Sequence, residues 1–291
     1  MNGGSISNNT LWRSSLSWAT PYGGIYLNDS TAHLNNVVFE GNVFGGSDYA
    51  YGVAIYVDDS ELVAENCTFK GNGYTNSAKG LRTSNSIITI DDGSMEFKNC
   101  VFENNGTPGS TIGPDVISVF GGATVKINNS KFLNNVSRYT ISCIDGDVEV
   151  TESHFEGYTG SIYYSKKNGD GIFKDCNFVG GPAKTGTKSF YLEKNSSLEL
   201  NTCDLGSSTF NDESRVTFVN CFSTEDGNTL PPIAFGETGH VGSMFGEGSL
   251  SMIIALLALI TSGVSLFLIV DMKKKLVPAT TNNADKTESE E

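Results

Sequence analysis

Charge is scarce in this chain and unevenly signed. Only 18% of the 291 residues are charged, and 33 acids outnumber 19 bases for a formal net charge of −14. A surface of that sign repels phosphate backbones, which excludes nucleic acid as a partner. Histidine is almost missing: His33, His154 and His240 stand far apart in the sequence. There is no P-loop, no Rossmann fingerprint and no nucleophile motif. The six cysteines include no C-x-x-C pair, so zinc is excluded as well. With seven prolines against 33 glycines and abundant asparagine, the composition suits tight turns between short strands and suits long helices poorly.

Long hydrophobic runs are absent, with one exception. Leu250–Val270 carries no charge and spans about 31 Å as a helix, matching a bilayer core. Lys273, Lys274 and Lys275 follow it, so the positive-inside bias places the tail 271–291 in the cytoplasm and the bulk of the chain outside. Ala258/Ser262 and Thr261/Ser265 put small residues four apart on this helix, a spacing that lets two such helices pack. The first 22 residues hold neither a basic n-region nor an apolar h-region. The expectation is therefore a piece of a longer surface protein, with residues 1–22 forming a partial rung or cap. A tail-anchored protein facing the cytosol is the alternative.

What is present is a repeat. "NNVVFEGN", "ENCTFKGN", "KNCVFENN" and "NNSKFLNN" return every 20 to 35 residues, with looser copies in "ESHFEGY" and "KDCNFVGG". Eight copies align on the apolar anchors Leu34, Ala64, Phe97, Ile127, Val150, Phe173, Leu200 and Phe218. Two residues earlier stand Ala32, Leu62, Met95, Val125, Val148, Gly171, Leu198 and Val216. Three after the anchor come Val37, Cys67, Cys100, Ser130, Ser153, Cys176, Cys203 and Cys221. Five after it come Phe39, Phe69, Phe102, Phe132, Phe155, Phe178, Leu205 and Ser223. Residues two apart share one strand face, whereas the odd step to Cys demands a bend. Each copy reads as strand, bend, strand, and a turn at the Asn of FxxN. A further short strand lies upstream, in "IYL" at Ile25, "IYV" at Ile55, "ITI" at Ile88, "ISC" at Ile141 and "FYL" at Phe190.

Units of this kind bury their apolar faces only by stacking. The expected fold is all-β: a right-handed, pectin-lyase-like parallel β-helix of about eight rungs over residues 23–225, rising about 4.8 Å per rung. A linker at 226–249 and the C-terminal transmembrane helix follow. An immunoglobulin-like sandwich is the competing fold, and it leaves the constant offsets unexplained.

"GGIYL" at Gly23–Leu27 and "GVAIYV" at Gly52–Val57, paired with "FEGN", "FKGN", "FENN" and "FLNN", resemble the GGAI and FxxN motifs of chlamydial polymorphic membrane proteins. The resemblance covers roughly residues 23–225. It implies adhesion or host-facing display without catalysis and transfers no catalytic residue. The chain departs from that family by ending in one helix instead of an outer-membrane barrel, more like the related single-pass surface proteins of some parasitic protists.

Several columns invite chemistry. Asp29, Asp59, Asp92, Gly122, Asp145, Asn168, Asn195 and Glu213 stand five before the anchors, where turn residues belong. Stacked carboxylates at Asp29, Asp59 and Asp92, joined by Asp58 and Asp91, also offer hard oxygen ligands for Ca²⁺. The pair Asp59–Asp92 would suit a retaining glycosidase. His33 and His154 fall at outward positions. Six cysteines in an extracellular context suggest bridges such as Cys67–Cys100 or Cys203–Cys221, yet five sit in one interior column where a small buried thiol serves equally. Cys143 stands apart from them. Sequons occur at Asn8, Asn28, Asn66, Asn128, Asn135 and Asn195, and at Asn105, where Pro108 hinders use. Loops after FxxN vary in length, and Tyr49 and Tyr51 in one of them suit a contact surface.

The functional expectation is a single-pass plasma-membrane glycoprotein that displays its β-helix to an extracellular protein or glycan ligand, non-catalytically. The alternatives are a β-helix carbohydrate-active enzyme, lyase or hydrolase, and an intracellular tail-anchored scaffold.

Overall fold

The computed structural model describes residues 1–12, 23–45, 51–75, 85–107, 113–183 and 185–224. All fall within one compact unit, Met1–His240. The expected linker, membrane span and tail lie outside the described residues.

The fold is all-β, and its strands pair in parallel throughout the three sheets. Successive repeats add strands to three rows, with only isolated bridges continuing the first and third rows at the C-terminal end, an arrangement compatible with a parallel β-helix. The first row holds Ile25–Asn28, the start of Ile55–Glu65, the start of Ser86–Lys98, Asp115–Phe120, Tyr139–Ile144, Ser161–Lys166 and Phe190–Leu192. The second runs from Thr31–Asn35 through the ends of the two long strands to Ala123–Asn128, Gly146–Thr151, Asp170–Lys174, Ser197–Asn201 and Val216–Val219. The third stacks Ser5–Ser7, Val38–Glu40, Thr68–Lys70, Val101–Glu103, Lys131–Leu133, His154–Glu156 and Asn177–Val179. Two first-row strands, at 115–120 and 161–166, were not evident from the motif alone.

The register follows the anchors. Leu34 pairs with Ala64, Ala64 with Phe97, Phe97 with Ile127, and so on to Leu200 with Phe218. The phenylalanines line up likewise from Phe39 to Phe178. Their rings stack face to face at 4.9 Å (Phe39–Phe69), 5.0 Å (Phe69–Phe102), 4.4 Å (Phe102–Phe132) and 4.6 Å (Phe132–Phe155). Burying each such side chain contributes roughly 1.5–3 kcal/mol.

The bends have one cause, repeated. Two residues after each anchor the backbone is left-handed: Asn36, Asn66, Asn99, Asn129, Glu152, Asp175, Thr202 and Asn220 have φ between 45° and 55°. Asparagine fills five of these eight corners because it tolerates that conformation best among residues with a Cβ. The corner swings the next residue inward, which resolves the odd three-residue step to Cys or Ser. Each thiol or hydroxyl there bonds the carbonyl two residues back, as in Cys67 to Glu65 (3.2 Å), Cys100 to Lys98 (3.4 Å), Ser130 to Asn128 (2.9 Å) and Ser153 to Thr151 (2.8 Å). Cys and Ser share this column because both are small donors.

The turn assigned to the Asn of FxxN needs correction. The preceding residue makes it: Gly41, Gly71, Asn104 and Asn134 are left-handed. The asparagine then points inward. Asn42, Asn72, Asn105 and Asn135 are buried and form a ladder in which each Nδ2 donates to the next Oδ1, at 2.9, 3.1 and 3.0 Å. Each Nδ2 also donates to a backbone carbonyl one rung back, from Ile6, Phe39, Phe69 and Phe102 respectively. The same Oδ1 atoms of Asn72, Asn105 and Asn135 accept the backbone N–H of the preceding asparagine. A buried amide is tolerated here because its donors and acceptors are met.

Candidate functional site

Outward positions of the first row form one column: Tyr26, Tyr56, Thr89, Ser118, Ser142, Tyr164 and Tyr191, each paired with the next. Alternation sends these away from the isoleucine column beside them. Aromatic pairs stand at both ends. Tyr26 and Tyr56 have ring centroids 5.6 Å apart, and Tyr51 approaches Tyr56 at 6.1 Å. At the far end Tyr139 stacks on Tyr164 at 4.2 Å, and Tyr164 lies 5.9 Å from Tyr191. Tyr26 is 44% exposed and Tyr191 41% exposed, a large aromatic surface to leave in water.

Polar groups fix these rings. The Tyr26 hydroxyl donates to Asp58 Oδ2 at 3.1 Å, Tyr56 to Asp91 Oδ2 at 3.3 Å, and Tyr164 to Glu193 Oε1 at 2.5 Å. Arg138 lies over the Tyr139 ring at 4.6 Å and Lys166 over Tyr164 at 5.8 Å, distances at which a cation is attracted to the ring face. Tyr56 and Tyr164 are themselves buried, and between the tyrosine clusters the column stays buried and turns small, at Thr89, Ser118 and Ser142. Asp115, fully buried, takes a two-pronged salt bridge from Arg138 at 3.1 and 3.0 Å, Ser118 donates to it at 3.3 Å, and Ser142 reaches Ser118 at 3.1 Å. Sequence reasoning missed this face. The signal was the alternation of Tyr, Ser or Thr with Ile in the upstream strands.

The acidic ridge lies along one border of this face. Asp29, Asp59 and Asp92 have φ of 46°, 44° and 57°, and Asp145 follows at 66°, so turn geometry accounts for the column. Asp29, Asp59 and their flanking residues Ser30, Thr31, Ser60 and Glu61 line a shallow open groove. Asp91 is held above its ordinary carboxylate value, first by burial and also by the charges of Asp92, Asp58 and Asp59, against the lowering effect of the Tyr56 hydroxyl. Among the described residues no three His, Cys, Asp or Glu side chains converge as a metal-holding group. The Ca²⁺ expectation at Asp29, Asp59 and Asp92 therefore finds three carboxylates on successive turns and no shared centre. His33 and His154 lie on outer faces beside Glu65 (3.5 Å) and Glu156 (3.2 Å).

All six cysteines are buried free thiols. Burial pushes Cys143 up to about 12, and its thiol bonds the carbonyl of Gly146 at 3.1 Å. Of the sequon asparagines, Asn8, Asn28, Asn66 and Asn195 are exposed and Asn128 is half-buried. Asn135 corrects the expectation. Its side chain is 1% exposed and closes the interior ladder, so a glycan there is incompatible with the folded rung.

The class these observations define is an all-β, parallel-stranded repeat protein with one tyrosine-rich face. Comparison with family models, with curated proteins and with solved structures found no match in any of the three.

Proposed function

We propose that this chain is a single-pass cell-surface protein of the polymorphic-membrane-protein type, its repeats forming a right-handed parallel β-helix of about eight rungs. Leu250–Val270 anchors it in the plasma membrane with the β-helix outside. Its role is adhesion or surface interaction without catalysis, and the first-row tyrosine face is the contact surface for an extracellular protein or glycan.

One observation carries this reading: two tyrosine clusters, at Tyr26–Tyr56 and Tyr164–Tyr191, share one column of a stacked scaffold, and the outermost ring of each, Tyr26 and Tyr191, is exposed over a buried neighbour, Tyr56 or Tyr164. The hydroxyls of Tyr26, Tyr56 and Tyr164 are oriented by Asp58, Asp91 and Glu193 of neighbouring rungs. Rigid, amphipathic rings presented with little loss of side-chain freedom are the usual anchors of protein contact surfaces.

The test is display of the full chain on a non-adherent cell behind a known signal peptide, with a tag before Gly23. The tag is expected to be accessible on intact cells, and the displaying cells to bind target-cell monolayers. The double variant Tyr26→Ser/Tyr191→Ser should cut that binding at least tenfold at equal surface level. A tag reached only after permeabilisation overturns the topology. Undiminished binding by the variant overturns the face.

A further inference from the structure

We propose that Cys67 and Cys100 are a modification site: a disulfide joining two consecutive rungs, formed by exchange with a small-molecule disulfide while the chain folds in an oxidising compartment. Both thiols point inward at the same corner of neighbouring rungs. Thr68 pairs with Val101 immediately after them, and the Val101 N–H donates to the Cys67 carbonyl at 2.9 Å. Strands so paired lie about 4.8 Å apart, inside the roughly 4.4–6.8 Å that a disulfide accepts between Cα atoms. Side chains pointing the same way leave Cβ atoms wider apart than a disulfide's mean of about 3.8 Å, so closure draws the corners together by about 1 Å.

Two features single out this pair. Val37 precedes Cys67 in the column and Ser130 follows Cys100, so each thiol has one sulfur neighbour, whereas Cys176, Cys203 and Cys221 stack as three and any bridge among them strands one. Each thiol of the column also reaches the anchor carbonyl of the preceding rung. That contact is 3.8 Å at Cys67, against 3.3 Å at Cys100, 3.5 Å at Cys176, 3.3 Å at Cys203 and 3.1 Å at Cys221. Cys67 is thus the thiol least held by the neighbouring rung.

The chemistry balances with oxidised glutathione as co-reactant. The Cys67 thiolate attacks one glutathione sulfur, forming a mixed disulfide and releasing one glutathione thiolate. Cys100, deprotonated in turn, attacks the Cys67 sulfur and expels the second glutathione. The two protein thiols are oxidised, the disulfide is reduced to two thiols, and the two protons pass to the leaving glutathiones. Both cysteines are 1% exposed in the folded chain, so exchange precedes closure of the corner. The bond ties together the rungs that carry Tyr56 and Asp91.

The experiment directs the full chain into the secretory pathway behind a supplied signal, which separates it from the chain's natural destination. Cells are harvested into N-ethylmaleimide, and the protein is denatured, digested and mapped without reduction. The expected product is one peptide pair joined through Cys67 and Cys100. Cys67→Ser and Cys100→Ser place at this corner the residue that Ser130 and Ser153 already supply, so both variants are expected to fold. Each should melt about 5–10 °C below the oxidised wild type and together with it after reduction. Alkylation of both cysteines as free thiols on the surface-delivered chain overturns the proposal, as does a bridge from either to another cysteine. Equal melting of oxidised wild type and variants overturns it too.

Discussion

Tyr163 and Gly171 occupy one space inside the stack. Tyr163 takes the inward position that isoleucine holds at Ile55, Ile88, Ile117 and Ile141, and Gly171 takes the position held by Leu62, Met95, Val125 and Val148. A Cβ on Gly171 would lie 2.7 Å from the tyrosine Cζ. The larger ring in one row is accommodated by the missing side chain in the next, which keeps the interior close-packed. Gly171→Val should therefore destabilise the protein by about 1–3 kcal/mol through overpacking. Adding Tyr163→Ile should recover most of that loss. A double-mutant cycle in urea midpoints measures the coupling, and additive losses would show that the two side chains do not share the space.

The buried and exposed asparagine ladders should differ sharply in worth. Asn105→Ala strips hydrogen bonds from the Asn72 N–H and side-chain amide and from the Phe69 carbonyl. Each buried group left unmet costs roughly 1–3 kcal/mol, so a total loss of at least about 3 kcal/mol is expected. Asn66→Ala removes only exposed contacts to Asn35 and Asn99 and should cost about 1 kcal/mol or less, through the corner conformation. Intact-mass and peptide mapping of the chain delivered to the cell surface should find Asn135 free of glycan. An occupied Asn135 in a protein that melts normally would contradict the ladder.

Thr202 holds the left-handed corner, at φ 54°, with a β-branched side chain. That conformation costs such a residue roughly 1–2 kcal/mol. Thr202→Asn, the residue of five equivalent corners, should raise stability by about 1 kcal/mol. Denaturant melts of the two proteins check the sign, and a lower midpoint for the variant would place the cost elsewhere.

Asp91 should make stability fall as pH rises. Asp91 is raised in the folded state, so the native protein holds that proton more tightly than the unfolded chain does. Its contribution is present below the ordinary value near 4 and is lost as pH climbs through the raised folded value. Asp91→Asn should flatten that part of the profile of midpoint against pH. Added salt at pH 7 should help wild type more than the variant. With no shared centre among Asp29, Asp59 and Asp92, Ca²⁺ should raise the melting temperature no more than Mg²⁺ at equal ionic strength, and a Ca²⁺-specific rise would restore the metal reading.

Constant offsets let the sequence determine the stacking register. When Leu34, Ala64 and Phe97 recur with Phe39, Phe69 and Phe102 five residues later, only one register buries all of them together, because a one-residue slip turns each side chain to the other face. The bend after each anchor was legible for the same reason: two inward residues three apart require one backbone reversal. Other decisions fell to the tertiary structure. Whether Asn42, Asn72, Asn105 and Asn135 cap a turn or enter the core depends on partners 30 or 33 residues away, and local propensity favours the turn. The tyrosine face has the same origin. Tyr26 and Tyr56, or Tyr164 and Tyr191, are 27 to 30 residues apart in sequence and become one surface only when coiling sets their strands side by side. Inward apolar residues repeat because every rung needs the same core, whereas outward residues are free to vary, so their pattern emerges only once the rungs are stacked.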